Sequence, residues 1–291
     1  MSLESYRFGV GDFNCIAISD GSFTYSPPFF PPSASLLFAN APKELVSQTL
    51  REHELQADHW VEWTSPYICV VLGTNKHRVL VDTGAGSLGP NTGRLLSNLQ
   101  TEGIAPKDID TVILTHGHPD HTGGNILRNG ESAFPNARFF MWREEWDYWT
   151  SEPKEMRADE HVELLFKFAR RNLPPIRGQL DFVDHEVEIV PGVLAFPASG
   201  HTLGHMALAV SSGGEELLCI ADAMLHPIHV QHPEWYAVVD ASPQQVVITR
   251  RRLLKRAEME KALVLGFHFP FPGLGHIVKG GEGWCWKPIS P

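Results

Sequence analysis

The sequence predicts an α/β fold, and three observations carry that prediction. Short apolar runs at 79–81, 111–115, 193–196, 217–221 and 262–267 have the length and composition of buried strands. Between them lie segments whose apolar residues recur at helical spacing, such as Leu95, Leu96 and Leu99. The two kinds of segment interleave in both halves of the chain, with Gly, Pro and Asp at the joints.

Taken in order, residues 8–23 read as strands broken at Asp20-Gly21. Residues 27–42 form a Pro- and Ser-rich loop that also carries Phe29 and Phe30, and this loop is the candidate lid. Residues 67–81 read as a hairpin whose turn is Gly73-Thr74-Asn75-Lys76. A helix follows over 93–102, then the strand at 111–115. A strand at 138–141 leads to helices over 143–150 and 161–172. Strands then dominate until a helix that starts at Ser242 with Pro243 in its first position. Val246, Val247, Leu253, Leu254 and Ala257 give that helix a buried stripe, and the basic run Arg250–Arg256 is expected on its solvated face. The last expected strand is 262–267. No repeat at a period of roughly 20–50 residues interrupts this order.

Composition removes several classes of function. The chain has 291 residues, 43% of them hydrophobic and eight of them Trp, which is ample for a packed core. A formal net charge of −10 repels phosphate backbones, so no nucleic-acid partner is expected. No apolar run approaches the roughly 18 residues that span a bilayer, so no membrane partner is expected either. The N-terminus has no basic start followed by an apolar stretch, and a cytoplasmic location is expected. Cys15, Cys69, Cys219 and Cys285 are far apart and read as buried or free thiols.

The most informative residues are His116-Gly117-His118-Pro119-Asp120-His121, which leave the 111–115 strand on a loop. Three imidazoles and a carboxylate in six positions are the donors that a borderline-soft divalent ion prefers. Three later apolar strands deliver a polar donor at or just past their ends: His201, Asp222 and His268. Each alone reads as a turn or a satisfied buried group, but four such strand ends in one chain point to a metal centre. A structural zinc site is usually four-coordinate and often Cys-rich. Seven N/O donors without a thiolate therefore argue for catalysis.

This pattern resembles the metallo-β-lactamase superfamily over most of the chain. Its His-x-His-x-Asp-His motif stands at His116 to His121, and its later His, Asp and His stand at His201, Asp222 and His268. The strand-turn Val79-Leu80-Val81-Asp82-Thr83-Gly84 matches as well. The segments around 79–90 and His268 to His276 are most similar to methyl parathion hydrolase and quorum-quenching lactonase-type members. The resemblance implies an αββα metallo-β-lactamase-like sandwich, one domain over 1–291. It implies two divalent ions, zinc first, with Mn, Co or Fe as alternatives. His116, His118 and His201 would hold one, Asp120, His121 and His268 the other, and Asp222 would bridge. Asp82 would orient a ligand imidazole; its bland alternative is a turn-forming Asp-Thr-Gly.

The implied reaction is hydrolysis by a hydroxide held between the ions, with Asp120 and Asp222 at the reacting centre. His226 is the residue to test as proton donor, while His205 and His276 read as structural. The expected substrate is a small neutral ester, lactone or phosphotriester. Phe29, Phe30, Trp142 and Trp146 are the candidate apolar pocket, and a homodimer is left open. Among related enzymes, His118 argues against flavin-linked di-iron oxidoreductases, which carry Glu there. Asp222 stands where class B β-lactamases usually use Cys, and the tail 280–291 does not resemble the glutathione site of glyoxalase II-type thioesterases. Leu225 stands where many acyl-homoserine lactonases carry Tyr, a departure that weakens that assignment. A mononuclear iron sulfur-dioxygenase is the alternative of a different reaction class.

Overall fold

A computed structural model describes residues 4–55, 60–151, 160–281 and 283–289, with side chains of the 160s helix from Val162 onward. Parts of the expected N-terminus and of the 280–291 tail lie outside these residues. In chain order the first half contains Ser5–Val10 (β1), Phe13–Tyr25 (β2), Ser33–Leu37 (α1), Lys43–Glu52 (α2), Trp63–Gly73 (β3) and Arg78–Val81 (β4). Leu95–Thr101 (α3), Thr111–Leu114 (β5), Pro119–Thr122 (α4), Arg138–Trp142 (β6), Arg143–Thr150 (α5) and Glu160–Asn172 (α6) follow. The second half runs Leu180–Val183 (β7), Val187–Val190 (β8), Val193–Pro197 (β9), Met206–Ser212 (β10) and Glu215–Cys219 (β11). It ends with Ile228–Gln231 (α7), Pro243–Glu260 (α8), Leu263–Leu265 (β12), Leu274–Gly280 (β13) and Gly283–Pro288 (β14).

The strands form two seven-stranded sheets, ordered β1-β2-β3-β4-β5-β6-β7 and β14-β13-β12-β11-β10-β9-β8. The period-two alternation of side chains decides the layers. In β3, Ile68, Val70 and Leu72 face the second sheet, while Cys69 and Val71 face the helices. In β10, Met206, Leu208 and Val210 face the first sheet, while Ala207 and Ala209 meet α8. Because both faces of each sheet are covered, strands such as β5 are buried throughout and read as continuous apolar runs. Helices α3, α5 and α6 cover the first sheet, and α8 covers the second. This is the expected αββα sandwich.

Parallel pairing aligns the ends that matter. β4 and β5 run parallel, as do β11 and β12, so their C-terminal ends open on one edge of each sheet. At that edge stand Asp82, the loop from Thr115, Asp222 and His268.

Several local expectations need correction. The N-terminal strands break at Gly11-Asp12, whereas β2 runs through Asp20-Gly21 by a register shift against β3. The Asp20 carboxylate turns into the fold there and accepts N–H bonds from Ala85, Gly93 and Leu95. The loop over 27–42 contains the short helix α1, and the fold adds α2, α7, β13 and β14 to the expected elements. Arg250 is not on the solvated face of α8: it is completely buried. It stands four residues after Val246 and three before Leu253, which is the buried stripe itself. Its guanidinium donates to Asp240 Oδ2 at 3.0 Å and to the carbonyl oxygens of Ala223 and Trp235, which offsets the cost of burying the charge.

Candidate metal centre

The centre is assembled where strands end. After the buried run of β5, Thr115 is pinned by Asp82, whose carboxylate accepts the Thr115 N–H at 2.8 Å and its hydroxyl at 2.9 Å. Pro119 opens α4, which presents Asp120 and His121 inward from a single turn. Gly117 leaves no room for a side chain, since a Cβ there would lie 2.1 Å from the Trp149 ring. Two non-glycine residues at the site, Asp82 with φ 59° and Ala221 with φ 42°, occupy the left-handed region. Such backbone conformations are costly and persist where packing over-determines them.

All seven expected donors converge. Ligand atoms of His116, His118, His201 and Asp222 lie within 4.8 Å of one another, as do those of Asp120, His121, Asp222 and His268. Asp222 is common to both groups: Oδ2 lies 3.2 Å from His201 Nε2 and 3.1 Å from His268 Nε2, and Oδ1 lies 3.1 Å from His121 Nε2. His268 Nε2 is also 3.5 Å from Asp120 Oδ2.

Four imidazoles are held from behind through Nδ1, so that Nε2 faces inward. His121 is held by Asp82 at 2.8 Å, His201 by Asp240 at 3.0 Å, His268 by Ser65 Oγ at 2.8 Å and His116 by Thr115 Oγ1 at 3.1 Å. Partners of this kind fix ring orientation and tautomer in metal sites.

The cluster fits a divalent ion. Two buried atoms at its heart, His121 Nε2 and Asp222 Oδ1, approach each other at 3.1 Å yet have no hydrogen-bond partner among the described residues, although buried polar atoms are normally paired. A donor set of imidazole nitrogen and carboxylate oxygen suits zinc and its neighbours. Burial pushes His116 and His118 well below the ordinary imidazole range, and neighbouring imidazoles push the same way. Burial opposes charging of His201 too, but its hydrogen bonds to Asp222 and Asp240 lift it to about 9. Burial alone would raise Asp222; His268 and His121 hold it well below the carboxylate range. Such a cluster takes a cation in competition with protons.

The structure adds residues that no local pattern marked. Glu145, completely buried on α5, accepts the Gly117 N–H at 2.9 Å and the Trp149 indole N–H at 2.8 Å through Oε2. Its Oε1 accepts the Gly204 N–H at 2.8 Å. One carboxylate thus clamps the loop of His116 and His118 to the loop of His201. His205 lies behind Asp222, with Nε2 accepting the Asp222 N–H at 3.1 Å and Nδ1 donating to Ala198 O at 3.0 Å. In sequence, Glu145 reads as a helix surface residue and Asp240 as a turn residue before Pro243.

A cavity of about 770 Å³ opens above the cluster, with His118, Asp120, His201, Asp222 and His268 among its lining residues. Phe29 and Phe30 line it, beside Phe23, Tyr25 and Trp63. Trp142 and Trp146 are not among its described lining residues: both are half-buried against the core, Trp146 edge-on to Phe182. His226 also lies off the cavity, against Trp60 and Phe38, and burial pushes its pKa down to about 3. An imidazole so hard to protonate is poorly suited to supply a proton near neutrality.

A layered sandwich whose strand ends gather a buried His/Asp cluster beneath a cavity defines a metal-dependent hydrolase. The family model described as the metallo-beta-lactamase superfamily matches residues 66–268, and the chain belongs to that superfamily. An N-acyl homoserine lactonase from Bacillus sp is 25% identical over 240 residues, 75% of this chain and 84% of that protein. The solved structure of AidC, a dizinc quorum-quenching lactonase with a product bound, superposes with a TM-score of 0.88 at 25% identity, covering 98% of this chain and 97% of the other. The hydrolase AbOPH of the beta lactamase superfamily superposes with a TM-score of 0.87 at 25% identity, over 100% of this chain and 99% of the other. No helix among the described residues is long and apolar enough to cross a membrane.

Proposed function

We propose that this chain, folded as one domain, hydrolyses small neutral lactones, esters or phosphotriesters at a binuclear metal centre. The observation that carries this reading is the position of Asp222, shared by two donor groups on the floor of an apolar cavity. His116, His118 and His201 would hold one ion and Asp120, His121 and His268 the other, with Asp222 common to the two donor groups. Zinc is the first choice, as in the dizinc lactonase that the chain resembles. When bound, such ions supply Lewis acidity and a water acidified towards neutral pH.

The chain's own residues do the rest. Asp82, Asp240, Ser65 and Thr115 lock the imidazoles, so the centre needs little reorganisation during the reaction. Phe23, Phe30, Trp63 and Leu225 exclude water and bind the apolar part of a substrate. No Lys or Arg is among the described cavity-lining residues, so none of these gives an anionic substrate a fixed counter-charge.

Two measurements test this. Protein purified without chelator should carry close to two divalent ions per chain; one iron with oxygen uptake would assign it to the sulfur-dioxygenase class instead. A kcat/KM panel should favour neutral lactones, aryl esters and phosphotriesters over glutathione thioesters, β-lactams and nucleic acids. An anionic thioester or a β-lactam that beats every neutral substrate by about tenfold, roughly 1.4 kcal/mol of transition-state binding, would overturn the assignment.

A further inference from the structure

Two phenols meet beside the metal centre on neighbouring strands. Tyr25 ends β2 and Tyr67 lies on β3, and their hydroxyl oxygens are 2.8 Å apart. The two residues are in different surroundings. Tyr67 is completely buried, its ring 5.7 Å from Phe267 and 5.4 Å from His268 by centroids. Tyr25 lines the cavity together with Asp120, Asp222 and His268. Its ring is fixed by Trp63, stacked at 5.0 Å, and by Phe30 at 4.8 Å, edge-on.

Burial decides which phenol donates. Among the described residues, the Tyr25 oxygen is the only hydrogen-bond partner of the Tyr67 hydroxyl. If Tyr25 were the donor, the Tyr67 hydrogen would be left unpaired in a dry interior, which costs more than a hydrogen bond returns. Tyr67 therefore donates and Tyr25 accepts. The Tyr25 hydrogen must then point elsewhere, and the open direction is the cavity. Burial pushes the Tyr25 phenol well above its ordinary pKa, and the nearby Asp120 adds to this.

We propose that Tyr25 is a catalytic residue, its hydroxyl donating a hydrogen bond to the substrate oxygen that gathers negative charge, with Tyr67 as the positioning residue that aims it. The proposal rests on the hydrolase reading above. A donor aimed in advance at developing charge, in a site closed to water, stabilises the transition state more than the bound substrate. Its signature is a loss in kcat with little change in KM.

The test uses the metal-loaded enzyme, a neutral lactone and a neutral aryl ester, and the variants Tyr25→Phe, Tyr67→Phe and the double variant. Metal content and circular dichroism are checked for each. Tyr25→Phe should lose about 100-fold in kcat with KM within about threefold, the scale for one oxyanion donor. Tyr67→Phe should lose about tenfold, because Tyr25 remains but is no longer aimed. The double variant should match Tyr25→Phe alone, since both act through one hydroxyl. A folded, metal-replete Tyr25→Phe with kcat within threefold of the parent overturns the inference, as does a double variant in which the two losses multiply. If Tyr25→Phe fails to fold, Tyr67→Phe decides: an unchanged kcat overturns the proposal. A parent enzyme inactive on both substrates overturns the hydrolase reading instead, so the two failures are distinct.

Discussion

The Asp240 carboxylate holds His201: its Oδ1 lies 3.0 Å from His201 Nδ1. Its other oxygen takes the buried Arg250 guanidinium at 3.0 Å and the Ala237 N–H at 2.8 Å. The orientation of one imidazole in the cluster thus depends on a helix residue on the far side of the carboxylate. Asp240→Asn removes the charge that balances both neighbours. Metal affinity should fall by about 10- to 100-fold, in line with losses of ligand-orienting partners. The fold should lose about 3 kcal/mol, because Arg250 is left buried and unpaired. Competition with a chelator and urea unfolding measure the two effects. Unchanged metal affinity would show that Asp240 does not govern His201.

Among the described residues, Asp222 is the one carboxylate common to both donor groups. Asp222→Asn keeps its shape but removes the charge and one anionic oxygen. The expected loss is at least about 100-fold in kcat with the fold retained, the scale for a central electrostatic group. Steady-state kinetics at saturating metal check this, and activity within a few-fold of the parent would show that the shared role is misassigned.

Glu145 ties together two loops that are distant in sequence through Gly117 and Gly204. Gln has one carbonyl oxygen where Glu offers two, so Glu145→Gln must leave at least one buried N–H facing an amide that cannot accept it. The expected cost is about 1–3 kcal/mol of stability per orphaned donor. Because the clamp holds the loops of His118 and His201, metal affinity should fall too. A variant with parental unfolding midpoint and affinity would remove the clamp from consideration.

His226 makes a pH signature. Burial depresses its pKa to about 3 in the folded chain, whereas the unfolded chain takes up that proton near pH 6.5. Between these values the unfolded state binds more protons, so the contribution of His226 to stability is lost as pH falls from about 6.5 towards 3. At pH 5 the loss amounts to about 2 kcal/mol relative to pH 7. His226→Gln should lack this component when urea unfolding is compared at the two pH values. An NMR titration of His226 with a midpoint near 6.5 would refute the premise.

The local chain by itself determined the parts of this protein that depend on spacing. His116, His118, Asp120 and His121 lie within one strand-to-helix turn, so their convergence follows from backbone geometry over a few residues. Alternation and continuous apolar runs likewise report strands buried on one or both faces. The parallel pair β11–β12 then brings Asp222 and His268 to the same edge, and the connection between β9 and β10 carries His201 there. The tertiary structure decided everything that depends on which distant segment comes to rest nearby. Trp142 and Trp146 look like rim residues in sequence and lie half-buried against the core instead. Arg250 reads as a solvated charge and is buried because Asp240 and two carbonyls meet it. Glu145, Asp240 and Tyr25 acquire their roles from partners 28 to 59, 39 and 42 residues away. A residue's polarity and periodicity state whether it is compatible with burial. The partner that satisfies its hydrogen bonds or its charge is supplied by chain reversals, and local pattern carries no record of them.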